Sequence, residues 1–233
     1  MCMVGYTFLH GCKVFKKIGD DAPASYKFIN MLLACTGGGI LVPIFLNTIP
    51  VPLAVDAYPV AILTSFLIHT YFPVLREVVE MSSIFKAVVI VFYETVRTYV
   101  VTLFTGAAAA AIAPSQFAFP IFGPIICGTI GGCGGAFLPF DKGLDPIKAN
   151  GLAPPMFSAF VGATFFHLFT HFAEENYSVV DAPKKGRVFV ALFFIAYAFH
   201  KAGIFPSAKA AAASSSAAAA AAAAVPIKTE KKD

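Results

Sequence analysis

One acidic and one basic side chain lie inside a strongly apolar stretch of the sequence. Glu94 and Arg97 fall within residues 83–106, and their spacing places them on one face of a helix, where they can form an ion pair. An ionisable group at membrane depth is costly and therefore indicates a functional site. The alternative is a structural ion pair that neutralises itself inside a helix bundle.

A further basic residue shares this face. Lys86 precedes Arg97 by about three helical turns. One basic residue near the cytosolic end of the helix and another deeper predict a pocket for an anionic lipid headgroup.

Two glycine clusters recur along the chain. Residues 36–44 read TGGGILVPI and residues 132–140 read GCGGAFLPF. One shift of the sequence aligns Gly38, Gly39, Pro43 and Pro59 with Gly134, Gly135, Pro139 and Pro155. The chain therefore contains an internal repeat.

The glycines allow two interpretations. Small residues let helices pack closely; alternatively, a broken helix exposes backbone groups that must face protein or water. We favour broken helices, because three successive glycines followed by a proline exceed what packing needs. Paired breaks of this kind indicate a permeation or binding site. The candidate residues are Gly37, Gly38, Gly39, Gly131, Gly132, Gly134 and Gly135.

Catalytic and metal-binding chemistry finds little support. His167 and His171 have a spacing that can bind a metal, but we expect packing histidines and no metal site. We find no paired carboxylates at membrane depth and no common nucleophile or phosphate-binding motif. The sequence therefore predicts a protein that is not an enzyme, with no catalytic residues and no cofactor other than a bound lipid.

The composition indicates a membrane protein. Of 233 residues, 58% are hydrophobic and 13% charged, and the mean hydropathy is +0.77. Soluble domains carry about 25% charged residues. The net charge of +4 is weak and forms no continuous stripe, so we expect no nucleic-acid partner.

The fold class that follows is an all-α integral membrane protein. Apolar segments long enough to cross a bilayer lie at about 1–16, 28–49, 58–75, 83–106, 118–140, 154–173 and 187–205. Each repeat then holds three helices, and an odd number inverts the second repeat relative to the first. We predict repeat one at about 1–78, repeat two at about 79–175 and a seventh helix at about 187–205, with glycine breaks in the second and fifth helices.

The transmembrane domain is expected to end near residue 206. Residues 207–233 are rich in alanine and serine and end in charged residues, which predicts a disordered tail. The distribution of Lys and Arg between the loops predicts that the C-terminus is cytosolic.

The run FLIHTYFPVLREVVEMSSIFKAVVIVFYETVRTYVV resembles the trimeric intracellular cation channels, or TRIC channels. The resemblance extends over roughly residues 25–205. It rests on Phe72-Pro73, the short connection that follows, Lys86, the spacing of Glu94 and Arg97, and the glycine clusters.

This resemblance implies seven transmembrane helices and a homotrimer with a separate pore in each subunit. It implies conduction of monovalent cations, mainly potassium ions, as counter-current to calcium release. The membrane would be the endoplasmic or sarcoplasmic reticulum, or the plasma membrane in a prokaryote. Helices two and five, kinked at the matching glycines, would flank the pore.

The resemblance also implies contacts with membrane lipids. Animal TRIC channels carry a Lys-Glu-Val motif followed by Arg, which holds a phosphoinositide. Glu94 and Arg97 match this motif, whereas Tyr93 stands at the Lys position. Tyrosine can donate one hydrogen bond to a phosphate but lacks a charge that contributes about 1 kcal/mol near a membrane surface.

Two other classes of protein fit the pattern. A secondary transporter of a small solute also uses inverted repeats and broken helices. A non-conducting scaffold that binds lipid through Lys86 and Arg97 is the third interpretation.

Overall fold

A computed structural model of the chain describes residues 1–19, 21–138 and 145–204, and every regular element among them is helical. The helices are α1 (Cys2–Ile18), α2 (Ala24–Phe45), α3 (Val51–Ala54), α4 (Ala57–Tyr71), α5 (Val74–Met81), α6 (Ser83–Ala111), α7 (Phe122–Cys133), α8 (Asp145–Asn150), α9 (Pro154–Tyr177) and α10 (Ala182–Lys201). A short 3-10 turn, Gly134–Ala136, follows α7.

Each of the predicted apolar segments overlaps one of these helices. Helices α2, α6 and α9 are long and apolar enough to cross a membrane, and α4 with α5 forms a fourth such unit bent by 95°. Helix α1 has 17 residues, α7 is shorter still, and α10 begins with charged residues. Seven crossings, and the inversion of one repeat relative to the other, therefore stay a prediction.

Proline explains the bend between α4 and α5. Helix α4 ends at Tyr71 because Phe72 precedes Pro73, and a residue before proline avoids the helical conformation. Pro73 then caps α5, which leaves at a steep angle. Ser82 starts α6 by accepting a hydrogen bond from the Phe85 amide at 3.4 Å.

The helices form two mutually packed groups of three. Helices α1, α2 and α4 contact one another, and so do α6, α7 and α9; α10 packs on α6 and α9. The first group buries Phe15, Met31 and Ile62. The second group and α10 together bury Val101, Ala159, Ala163, Phe166, Val190 and Phe194. Helix α6 joins the two groups by packing along α1.

Buried hydroxyl groups tie the short helix α1 to α4. The Thr7 hydroxyl lies 2.6 Å from Ser65 Oγ and donates to the Ala61 carbonyl at 3.1 Å. The His69 ring contacts the Phe8 carbonyl oxygen through Nε2 at 2.9 Å. In an apolar interior such groups need partners, and here neighbouring backbone carbonyls supply them.

Some predictions lie outside the described residues. These are Pro139, the C-terminal end of the last predicted helix at residue 205, and the tail at 207–233. The domain boundaries stay predictions.

Candidate functional site

The two glycine clusters meet in the middle of the fold. The backbone of α2 at Gly37 and Gly38 lies against Gly134 and Gly135, directly after α7. A Cβ atom added at Gly37 would lie 2.5 Å from the Gly135 nitrogen and 2.6 Å from the Gly134 carbonyl carbon. Real Cβ atoms do not approach so closely, so only glycine permits this contact. We call it the glycine crossing: Gly37, Gly38, Gly134 and Gly135.

The predicted break in the second helix is wrong. Helix α2 continues without interruption from Ala24 to Phe45, through Gly37, Gly38 and Gly39. A helix tolerates a glycine at a cost of about 1 kcal/mol, and contact with the opposite backbone offsets that cost here. The missing side chains serve close approach rather than unwinding.

The second cluster does interrupt its helix. Helix α7 ends at Cys133 and the chain continues as the 3-10 turn Gly134–Ala136. Close packing therefore describes the first cluster, and a broken helix describes the second.

The remaining candidate glycines face side chains. A Cβ atom at Gly131 would meet the Phe104 ring at 2.7 Å, and one at Gly132 would meet Val101 Cγ2 at 2.6 Å. Gly39 has more space, since the nearest atom to its Cβ position is 3.3 Å away, on Val51. These three positions support the glycine crossing without forming it.

A cavity of about 540 Å³ lies on one side of the glycine crossing. Exposed Lys13 and Lys17 lie at its outer end, and Gly38, Gly134 and Gly135 lie at its inner end. We call this cavity the vestibule. Its described lining contains no carboxylate, so its charge is positive.

A second cavity of about 190 Å³ extends from the wall of the vestibule toward α3 and the start of α4. Its lining includes Gly39, Val51 and Tyr58, and it contains no charged side chain among the described residues. We call it the chamber. The vestibule and the chamber adjoin at Tyr6, Cys35 and Gly131, which line both.

Arg97 connects three helices beside the glycine crossing. Its Nη1 donates to Glu94 Oε2 at 2.9 Å, so the pair predicted from the spacing is present. Its Nε donates to the Gly132 carbonyl of α7 at 3.0 Å. Its Nη2 donates to Ser158 Oγ at 2.8 Å and to the Pro155 carbonyl at 2.5 Å, both in α9.

These partners satisfy a fully buried charge. The Arg97 side chain is 4% exposed, and its guanidinium also lies over the Phe194 ring at 4.5 Å. A buried guanidinium is tolerated only when it is paired and hydrogen-bonded. The arrangement fits a positioning role, because it holds the end of α7 against α6 and α9.

Lys86, Tyr93, Glu94 and Arg97 line one surface pocket, and its lipid-binding role stays a prediction. This basic pocket has a volume of about 310 Å³ and is also lined by Lys13 and Lys201. The Lys86 ammonium donates to the Ala202 carbonyl at 3.4 Å. Sequence reasoning missed Lys13 and Lys201 because they come from α1 and α10, and nothing local to Arg97 indicates them.

The two histidines of α9 have separate partners. His167 Nε2 contacts the Pro120 carbonyl at 2.6 Å, and His171 Nε2 lies 3.1 Å from Glu175 Oε2. Glu175 lies one helical turn beyond His171 in the same helix. Within the described ranges, no three His, Cys, Asp or Glu residues cluster in a way that could hold a metal ion.

No protein-family model and no curated protein matches this sequence. Solved structures do match its fold, two of them over most of their length. One, described as showing the structural basis for activity of TRIC counter-ion channels in calcium release, is 17% identical, with a TM-score of 0.68 over 87% of this chain and 92% of its own. The chain has the TRIC channel fold.

The second match is a trimeric intracellular cation channel from C. elegans, solved in the absence of Ca²⁺. It is 18% identical, with a TM-score of 0.63, over 84% of this chain and 86% of its own. The TRIC fold and the apolar helices make this chain an integral membrane protein. In this fold the vestibule, the glycine crossing and the chamber are the candidate functional site.

Proposed function

We propose that this protein is a cation channel, with a permeation path running from the vestibule past the glycine crossing into the chamber. The observation that carries the proposal is that two adjoining cavities share lining residues beside the crossing, in a chain with the TRIC fold. The solved structures of similar fold are channels for cations or counter-ions, which supports the same activity here.

The glycine crossing supplies the chemistry for a permeating cation. The Gly131 and Ile130 carbonyl oxygens lie against the backbone of α2 at Gly38, and Gly131 lines both cavities. Backbone carbonyls can replace part of the hydration shell of a potassium ion. Helix α7 ends at Cys133, and the Gly134 amide still donates to the Ile130 carbonyl, so a cation would use the remaining lone pair of this oxygen.

The positive charge at the mouth of the vestibule disfavours the entry of cations. Lys13 and Lys17 raise the local electrostatic potential, whereas rings of Asp or Glu are typical of cation-selective mouths. Cation selectivity therefore has to come from the carbonyl groups deeper in the path. The two lysines would reduce conductance without setting selectivity.

The finer features of the proposal follow the TRIC resemblance. The channel would be a homotrimer with one pore in each subunit and would pass mainly potassium ions. It would supply counter-ion current for calcium release in the endoplasmic or sarcoplasmic reticulum, or act in a prokaryotic plasma membrane, with a cytosolic C-terminus. The basic pocket, with Lys86 and Arg97 in its lining, would hold an anionic phospholipid headgroup, a phosphoinositide among the candidates.

Planar bilayer recording tests this function. Purified protein in a potassium chloride gradient should pass discrete currents that reverse near the potassium equilibrium potential. Reversal near the chloride potential would overturn cation selectivity. Absence of current over a wide voltage range, from protein whose assembly is intact by size-exclusion chromatography with light scattering, would overturn the channel.

A secondary transporter is the alternative. It is favoured by the wall that separates the vestibule from the chamber, because alternating access keeps one side closed. A transporter would give saturable flux far below channel rates, and the same recording distinguishes the two.

A further inference from the structure

The wall between the vestibule and the chamber is thin. Three residues line both cavities: Tyr6, Cys35 and Gly131. Cys35 is small and Gly131 has no side chain. Tyr6 is therefore the large group in this wall whose movement changes the opening.

Tyr6 is held by an edge-to-face contact with His10 of its own helix, with ring centroids 4.8 Å apart, and by two contacts to other helices. Its hydroxyl donates a hydrogen bond to the Cys35 carbonyl of α2 at 2.9 Å. Its ring stacks on Tyr93 of α6, with centroids 5.1 Å apart and an interplanar angle of 18°. Tyr6 belongs to α1, so the two contacts join three helices around the path.

The surroundings leave the ring room to move. Empty space lies on both sides of it, in the vestibule and in the chamber. A side chain packed in a dense core lacks this freedom, because displacement there would require its neighbours to shift. Tyr6 therefore borders open space in two cavities, while its ring also packs on the core cluster of Phe15, Met31 and Ile62.

We propose that Tyr6 is the gate of the permeation path. With its hydroxyl on the Cys35 carbonyl, the ring separates the two cavities and the path is closed. When this hydrogen bond breaks and the ring swings out of the wall, the vestibule and the chamber join. Tyr93 is a positioning residue, since its ring holds Tyr6 in the closed arrangement. This inference rests on the proposed path.

A purely structural role is the competing explanation. In that case the Tyr6 hydroxyl only ties α1 to α2. Its loss would then lower stability without changing access between the two cavities. Thiol labelling and single-channel recording measure access between the two cavities directly.

Thiol labelling tests the wall without any current. A background with Cys2, Cys12, Cys127 and Cys133 replaced by serine leaves Cys35 as the reactive thiol. This thiol lies in the wall of both cavities in a residue that is 5% exposed. The protein is reconstituted in phosphatidylcholine liposomes and treated with a small charged methanethiosulfonate.

Tyr6→Ala should raise the labelling rate of Cys35 at least about tenfold, because the ring that shields it is gone. Tyr6→Phe keeps the ring and removes one neutral hydrogen bond, which corresponds to a rise of about fivefold. Tyr26→Phe is the matched control, since Tyr26 lines the same vestibule but is 54% exposed. Equal labelling rates in the Tyr6 variants and the parent would show that Tyr6 does not shield Cys35. Equal increases in labelling rate in the Tyr6 variants and the Tyr26→Phe control would show the same.

Single-channel recording tests the gate itself. Tyr6→Phe and Tyr93→Leu should each raise the open-to-closed ratio, by about fivefold for Tyr6→Phe, with unchanged single-channel conductance. If the wild type conducts and gating is unchanged in both variants, the proposal that Tyr6 is the gate is wrong, while the channel function is unaffected. A wild type that passes no current would overturn the channel and with it the gate, and the labelling then decides whether Tyr6 separates the two cavities.

Discussion

Gly38→Ala, compared with Gly106→Ala, isolates the cost of filling the glycine crossing. Both glycines lie inside long helices, α2 and α6. A Cβ atom at Gly38 would overlap the Gly131 carbonyl oxygen and lie 2.6 Å from the Ile130 oxygen. A Cβ atom at Gly106 would meet no atom within 4 Å.

The two substitutions share one free-energy contribution and differ in another. Alanine is more favourable than glycine in a helix interior by about 0.8–1.0 kcal/mol, and this gain applies to both positions. At Gly38 the new methyl group meets backbone, which cannot rotate away, and overpacking of this kind costs about 1–3 kcal/mol. Gly106→Ala should therefore stabilise the protein by about 1 kcal/mol. The free energy of unfolding of the Gly38→Ala variant should lie about 1–3 kcal/mol below that of the Gly106→Ala variant.

Unfolding with sodium dodecyl sulfate in dodecyl maltoside micelles, followed by circular dichroism, measures this difference. The helix propensity cancels between the variants, so the remaining difference reports contact at the crossing. If Gly38→Ala is as stabilising as Gly106→Ala, the two backbones do not touch as described. In bilayers Gly38→Ala should also lower potassium conductance, whereas Gly106→Ala should leave it unchanged.

Two further predictions concern charged residues. Arg97→Met leaves Glu94 buried without its partner and should destabilise the protein by about 3–5 kcal/mol in the same titration. A double variant that also carries Glu94→Leu should recover part of this loss of stability. Absence of any recovery would contradict the pairing. Replacing Lys13 and Lys17 by glutamine should raise potassium conductance about twofold or more at low salt, because a like charge near the path costs up to about 1 kcal/mol in water. This increase should vanish in 1 M potassium chloride, where the screening length is about 3 Å. An increase that persists at 1 M would place the lysines away from the path.

The sequence predicts the helices and the nearest contacts well. Apolar runs identify each helix because a bilayer leaves few other ways to satisfy the backbone. The Glu94–Arg97 pair follows from spacing on one helix. The partners of Arg97 on α7 and α9 depend on how distant segments pack, and no local pattern encodes that.

The glycine clusters show a second limit. Glycine serves both close packing and helix interruption, so composition alone cannot separate the two. The surface opposite each cluster decides between the two. Helix α2 packs against the backbone of Gly134 and Gly135 and stays continuous, whereas α7 ends just before these two residues. Tyr6 escaped notice for a related reason, since a tyrosine in an apolar helix has no unusual spacing.

The contacts of Arg97 have a consequence for biogenesis. As α6 leaves the ribosome and enters the membrane, Glu94 is the one partner of this guanidinium in the same helix. The Pro155 and Ser158 groups follow 58 and 61 residues later in the chain. At about 5–20 residues per second, seconds pass before α9 emerges. During this interval the guanidinium has its Glu94 partner but not its α9 partners, so the helix is stabilised fully only after α9 has packed against it.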